Sequence, residues 1–206
     1  MKVLLINGGP HKSGATNRAL TAVALTLNAE GIETEIMWLG NDPIASCIGC
    51  GACRKTGKCF RGDVVNDFSE RAEEFDGFVF GSPVHYAAAS GALSSFMDRV
   101  FFSSASKLYM KPAAAVVSCR RGGATAAFDE INKYFTISEM PIVSSNYWNQ
   151  IHGGNYEEAM QDEEGVQTMK ILGRNMAYLI KALAAAKEAG VEPHEREKKT
   201  LTNFIR

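Results

Sequence analysis

The chain has 206 residues, 46% hydrophobic and 22% charged, a globular balance expected to fold as one domain with a substantial core. Its formal net charge of −1, with no stretch rich in lysine or arginine, gives no electrostatic case for nucleic acid, an anionic membrane or a strongly charged partner. MKVLLINGG carries too short an apolar run for a secretory signal, and nothing approaches the ~20 apolar residues of a membrane span, so a cytoplasmic, reducing setting is expected and disulfides are not.

Short apolar runs alternate with amphipathic ones. Lys2–Asn7 reads as a parallel strand buried on both faces, and Asn17–Glu30 as a helix with Leu20, Val23, Ala24 and Leu27 on one side and Gly31 after its end. Glu33–Trp38 is a more polar strand, placed at an edge. Asp63–Phe75 is a second helix, Gly77–Ser82 a third strand, and Gly91–Phe102 a third helix with Leu93, Phe96, Met97, Val100 and Phe101 on one face. Ala113–Ser118 is a fourth strand, Thr125–Ile137 a helix, Ile142–Tyr147 a fifth strand, and Asp162–Ala189 a long final helix. Residues 1–190 are thus expected to form the domain, interrupted by a long loop at 40–62. Residues 191–206 form a polar tail in which Phe204 and Ile205 are candidates for docking on the body or on a partner.

Five strands with intervening helices imply right-handed crossovers and a doubly wound α/β sheet, in which ligands bind beyond the carboxyl ends of the strands. Three loops should then share one crevice. NGGPHKSGATN follows strand one; it matches neither G-x-G-x-x-G nor a Walker motif, yet exposed amides at a helix start, with Ser13, Thr16 and Asn17 beside them, suit a phosphate. The same residues also make an ordinary capped Gly/Pro turn. GSPVHYAAASG follows strand three, where His85 and Tyr86 can face a flat ring, and SCRRGGAT follows strand four with two arginines. Together these are the parts a flavin requires: a phosphate loop, free amides and a planar wall. Taken singly, Tyr86 and Trp148 fit core packing or an ordinary surface position better than a ring contact.

Cys47, Cys50, Cys53 and Cys59 follow C-x₂-C-x₂-C-x₅-C, among Gly49, Gly51 and Gly57. Structural zinc takes two separated ligand pairs, whereas successive x₂ intervals resemble compact [4Fe–4S] ligation with Cys59 as fourth ligand. The spacing alone leaves two other readings open, reduced thiols in a glycine-rich loop and a redox-switching pair. Cys119 reads as a buried small residue rather than a catalyst.

On these motifs, which run through nearly the whole chain, the sequence resembles the flavodoxin-like NAD(P)H-dependent FMN reductase superfamily, and within it the iron–sulfur flavoproteins. The resemblance implies a flavodoxin-like three-layer fold with a five-stranded parallel sheet of order 2-1-3-4-5. It implies FMN phosphate contacts at His11, Ser13, Thr16 and Asn17, ring contacts at Pro83, Val84, His85, Tyr86 and Ala87, and further contacts at Ser118, Arg120 and Gly123. Cys47, Cys50, Cys53 and Cys59 carry over as cluster ligands. One position departs: the family usually has arginine where this chain has His11. The implied activity is oxidation of NADH or NADPH through FMN, and by way of a [4Fe–4S] cluster, toward an unidentified small-molecule acceptor. The implied assembly is a homodimer or homotetramer. His85 is the candidate for proton delivery, and Arg120 or Arg121 for stabilising charge on reduced flavin. The competing class is a flavodoxin-like electron carrier without a substrate of its own, against which the near-zero charge argues; a zinc or thiol regulatory protein is a third.

Overall fold

The computed structural model describes residues 1–204; Ile205 lies outside the described residues. The strands are β1 (Lys2–Asn7), β2 (Glu33–Trp38), β3 (Gly77–His85), β4 (Ala88–Ala89), β5 (Ala113–Cys119) and β6 (Gln150–His152). Among the described residues the parallel path runs β2-β1-β3-β5-β6, and β4 pairs antiparallel with the end of β3. With that two-residue strand set aside, the order of the parallel strands is the expected 2-1-3-4-5.

The helices are α1 (Ala15–Ala29), α2 (Cys53–Thr56), α3 (Val64–Arg71), α4 (Gly91–Ser103), α5 (Ala105–Leu108), α6 (Ala124–Ile137), α7 (Tyr156–Gln161) and α8 (Glu163–Glu188). Because strand side chains alternate faces, the apolar runs divide into two cores. Val3, Leu5, Val79, Ala114 and Val116 pack against Leu20 and Val23 of α1 and Met169, Leu172 and Met176 of α8. Leu4, Ile6, Phe78, Phe80 and Val117 face Phe68 of α3, Phe96 of α4, and Ile131 and Phe135 of α6. This gives the expected three layers.

Three elements differ from the sequence-based expectation. The fifth strand is not Ile142–Tyr147: that segment makes one parallel bridge, Ala113 to Ile142, and pairing resumes at Gln150–His152. Ser145 is the cause, since its Oγ accepts from Tyr147 N–H at 3.3 Å and donates to the Tyr147 carbonyl at 2.7 Å, turning the backbone away from the ladder. The second helix stops at Arg71 and tightens into a 3₁₀ turn over Ala72–Glu74, and α7 precedes the final helix, which begins when Asp162 accepts from Gly165 N–H at 2.9 Å. The tail after Ala189 forms no regular element among the described residues. Tyr109 Oη lies 3.1 Å from His194 Nε2, and Arg196 reaches Glu139 at 2.8 Å, while Phe204 is 99% exposed and does not dock on the body.

The edge strand β2 carries an ion cluster. Both terminal nitrogens of Arg71 donate to the Glu35 carboxylate at 2.7 Å, and Lys2 Nζ stands 3.1 Å from it. The Arg71 hydrogen bonds, with a smaller contribution from Lys2, outweigh desolvation and hold Glu35 down at about 2 from an ordinary 4.5. A depressed folded value means that the stabilisation is complete above the unfolded value and is lost as pH falls toward the folded one. A third of the Glu35 side chain is in water, so Glu35→Gln is expected to cost only about 0.5–1 kcal/mol at neutral pH. In urea unfolding, that gap between wild type and variant should close as pH falls from about 5 to about 2; a gap independent of pH would contradict the assignment.

Candidate functional site

The loops after β1, β3 and β5 converge at the carboxyl edge of the sheet. Gly8 N–H donates to the Gly81 carbonyl at 2.9 Å, and Ser90 Oγ donates to the Gly8 carbonyl at 2.7 Å, so the first loop is tied to the start of α4. Asn7 Oδ1 accepts from Gly9 N–H at 2.9 Å, and Trp38 Nε1 donates to the Gly9 carbonyl at 2.8 Å from the neighbouring strand. Thr16 and Ser118, both buried, share a 2.8 Å hydrogen bond across 102 residues of sequence and join the first loop to the end of β5.

The helix behind this loop is open at its start. The N-cap position of α1 is Gly14, no side chain caps it, and no acid stands in its first turn. The amides at Ala15, Thr16 and Asn17 therefore carry the positive end of a fifteen-residue helix without a neutralising partner. That is the electrostatic requirement for an anion. His11 and Ser13 are exposed on the rim and Asn17 is half-buried.

The second wall is a hairpin. Val84 pairs with Ala89 and His85 with Ala88, leaving a two-residue turn in which Tyr86 (φ 50) and Ala87 (φ 59) are both left-handed. That is the backbone of a type I′ turn, which glycine and asparagine normally occupy, so this one stores strain. The Tyr86 ring is fully exposed and so is not a core residue; Trp148 is half-exposed. Glu130 of α6 holds the returning strand, accepting from Ala89 N–H at 2.8 Å and from Ser94 Oγ at 3.1 Å. Gly123, at φ +87, packs so closely under the hairpin that a Cβ there would lie 2.9 Å from both Ala87 Cα and Val84 Cγ1. Arg120 and Arg121 are exposed beside it. The three loops thus meet in one cluster through the Gly8–Gly81, Thr16–Ser118 and Gly123–Ala87 contacts, with His11, Ser13, His85, Tyr86, Arg120 and Arg121 exposed on it. Sequence reasoning missed Asn7, Trp38, Ser90 and Glu130, which brace it; of these only Ser90, an N-cap serine before α4, had a local signature.

Cys119 is buried, and burial pushes its thiol up from its ordinary value, as befits a packed side chain rather than a nucleophile. Its Sγ lies 3.5 Å from His152 Nδ1.

The other four cysteines line a single pocket of about 140 Å³, together with Ile48, Phe60, Phe102, Arg54, Arg61 and Arg99. Gly49, Gly51 and Gly57 all have positive φ and let the loop turn around it. Among the described residues no three His, Cys, Asp or Glu side chains stand close enough to hold a metal ion, so the thiols share a pocket without meeting at a common point. The donor set nevertheless suits an anionic metal–sulfur group: four sulfurs, three guanidinium groups and no carboxylate line the pocket, and the buried Arg61 Nε finds no acceptor.

Cys59 is the most tightly held of the four. Asn66 Oδ1 accepts from its N–H at 3.0 Å, and Asn66 Nδ2 donates to its carbonyl at 2.9 Å. Arg99 approaches its sulfur with Nε and Nη2 at 3.3 Å each, and also grips Asp63. Burial works against the arginine's charge, and the hydrogen bonds to Asp63 and Cys59 more than offset it. Neither Asn66 nor Arg99 was singled out by sequence. Because α4 begins at the cluster of the three loops and carries Arg99 eight residues further along, about 12 Å of one rigid helix supports both that cluster and the cysteine pocket.

A doubly wound sheet of this order, with its crevice at the carboxyl edge, is a flavodoxin-like nucleotide-binding architecture. Solved structures agree on the fold. RosB with bound 8-demethyl-8-formylriboflavin-5′-phosphate superposes with TM-score 0.70 at 15% identity, over 100% of this chain and 92% of that one. A flavodoxin from the domain Archaea gives 0.60 at 16% identity, over 88% of this chain and 99% of that one. Sequence relatives are nearer. A protein named iron–sulfur flavoprotein from Methanocaldococcus jannaschii is 31% identical over 89% of this chain and 99% of its own length. One from Methanosarcina thermophila is 24% identical over 89% and 97%. The profile of the NADPH-dependent FMN reductase family matches residues 1–154. The chain belongs to that family, as a member of its iron–sulfur flavoprotein type. Among the described residues no helix is long and apolar enough to cross a membrane.

Proposed function

We propose that the chain is an FMN-dependent oxidoreductase that takes electrons from NADH or NADPH and passes them, by way of a [4Fe–4S] cluster on Cys47, Cys50, Cys53 and Cys59, to a small-molecule acceptor. The observation that carries this reading is the convergence of three loops on the uncapped start of α1. Bound FMN supplies a centre that accepts two electrons as hydride and releases them singly.

The residues of this chain do the positioning. The free amides at the start of α1, with Ser13, Thr16 and Asn17, would take the phosphate, and His11 lies on the same rim. The hairpin of Pro83, Val84, His85, Tyr86 and Ala87, propped by Gly123 and Glu130, would lie against the ring, with N–H groups from Val84 to Ala87 at its edge, since Pro83 has none. Ser118 fixes Thr16, while Arg120 and Arg121 would offset negative charge on the pyrimidine side. His85, exposed at the end of β3, is placed to deliver a proton. The reading includes a cytoplasmic location, as the sequence leads one to expect, and a homodimer or homotetramer, for which the solvent-facing Tyr86, Tyr147 and Trp148 offer apolar surface.

Anaerobic purification tests both cofactors. FMN should co-purify and be bleached by NADH or NADPH; flavin left oxidised by both removes the reductase assignment, and failure to turn over a quinone or ferric acceptor leaves the carrier. Iron and acid-labile sulfide should be present, and Cys50→Ala should lose them while keeping FMN. A Cys50→Ala protein with wild-type iron would remove the cluster.

A further inference from the structure

A guanidinium taken out of water is costly unless each N–H meets an acceptor. The Arg99 side chain is only 1% exposed, and all five of its N–H groups are engaged. Nη1 donates to Asp63 Oδ2 at 2.7 Å and to the Ala45 carbonyl at 3.3 Å. Nη2 donates to Asp63 Oδ1 at 2.7 Å and to Cys59 Sγ at 3.3 Å, and Nε donates to the same sulfur at 3.3 Å. A salt bridge alone would use two of these five. The remaining three are aimed at the cysteine loop, two of them at one sulfur.

We propose that Arg99 is a positioning and tuning residue for the cysteine-bound centre: it holds the Cys59 sulfur on the pocket and raises the centre's reduction potential. The proposal rests on the reading that the four cysteines ligate an iron–sulfur cluster. Hydrogen bonds to ligand sulfur and nearby charge are levers on such potentials. Adding an electron increases negative charge at the sulfurs, and a buried positive fork with two N–H groups on one of them favours that state. The Asp63 carboxylate, bonded to the same fork, opposes it. The two residues therefore push the potential in opposite directions, although both are needed for the same hydrogen-bond network. Arg99 lies at the base of the pocket, so its effect should fall on the cluster and leave flavin binding intact.

The test uses anaerobically purified, FMN-loaded wild type, Arg99→Met, Arg99→Lys and Asp63→Asn. Iron, sulfide and FMN contents are measured, followed by midpoint potentials of cluster and flavin by titration with paramagnetic-resonance and optical detection. Arg99→Met should keep FMN and shift the one-electron equilibrium of the cluster about tenfold toward the oxidised form, 59 mV lower. Arg99→Lys, which restores the charge with a single point donor, should recover part of the shift. Asp63→Asn preserves the helix cap on α3 and should move the potential upward. A purely structural role would not give opposite signs. Equal potentials in Arg99→Met and wild type, or a fall in both Arg99→Met and Asp63→Asn, overturns the proposal. Should the Arg99 variants lose iron, Asp63→Asn decides alone: a rise supports the proposal, and no change or a fall overturns it. Wild type without iron and sulfide would fail the cluster reading and the proposal together, whereas a normal cluster with unshifted variants fails the proposal only.

Discussion

Gly123→Val should strip FMN from the purified protein, lowering flavin affinity at least tenfold. Gly123 sits at φ +87, a region β-branched residues almost never occupy, and its missing side chain is where the hairpin backbone packs. The strain alone is worth about 1–3 kcal/mol. A Cβ 2.9 Å from Ala87 Cα meets backbone rather than a side chain that can swing away, so the Tyr86–Ala87 turn must move. Displacing that turn removes the wall against which the flavin ring is proposed to lie. Gly122→Ala is the control: nothing lies within 4 Å of a Cβ there, so FMN content and stability should stay near wild type. Flavin titration and urea unfolding check both variants. Wild-type FMN affinity in Gly123→Val would contradict the placement of the ring.

Phe80→Ala should be the most destabilising single change to the core, at about 3–5 kcal/mol. Phe80 is fully buried at the centre of β3, with ring centroids of Phe135, Phe101, Phe68 and Phe78 between 5.4 and 6.4 Å away. Deleting the ring opens a cavity between the sheet and α3, α4 and α6, which cannot collapse because β3 is pinned by ladders on both sides. For a chain of this size the thermal midpoint should fall by about 10 °C, and the urea midpoint should drop without a change in slope. A shift below about 1 kcal/mol would mean that the aromatic cluster repacks, contrary to its interlocked geometry.

Most of the fold was legible from local signals. Val3–Ile6 and Ala113–Val117 read as buried strands because both of their faces are covered by helices, and α1, α4 and α8 carry apolar residues at helical spacing. The fifth strand was misplaced for an equally local reason: Ile142 and Val143 look like a strand start, but Ser145 captures the backbone and pairing resumes at Gln150. The hairpin at 84–89 was hidden because its turn lacks the Asn or Gly that marks such turns.

The alternation of strands and helices, the three loops at the carboxyl edge and the grouping of four cysteines in one loop are written into the chain locally. Each of these follows from residues near one another in the chain, through side-chain periodicity, turn chemistry and spacing. Tertiary structure decided which groups brace those loops. The Thr16–Ser118 bond spans 102 residues and the Arg99–Cys59 contact spans 40. Neither pair has a sequence signature, because the partners meet only when β5 packs beside α1 and α4 beneath the cysteine loop. Arg99 makes the point most plainly: in the chain it is one cation on an amphipathic helix, and only its burial shows that its charge is directed at a sulfur.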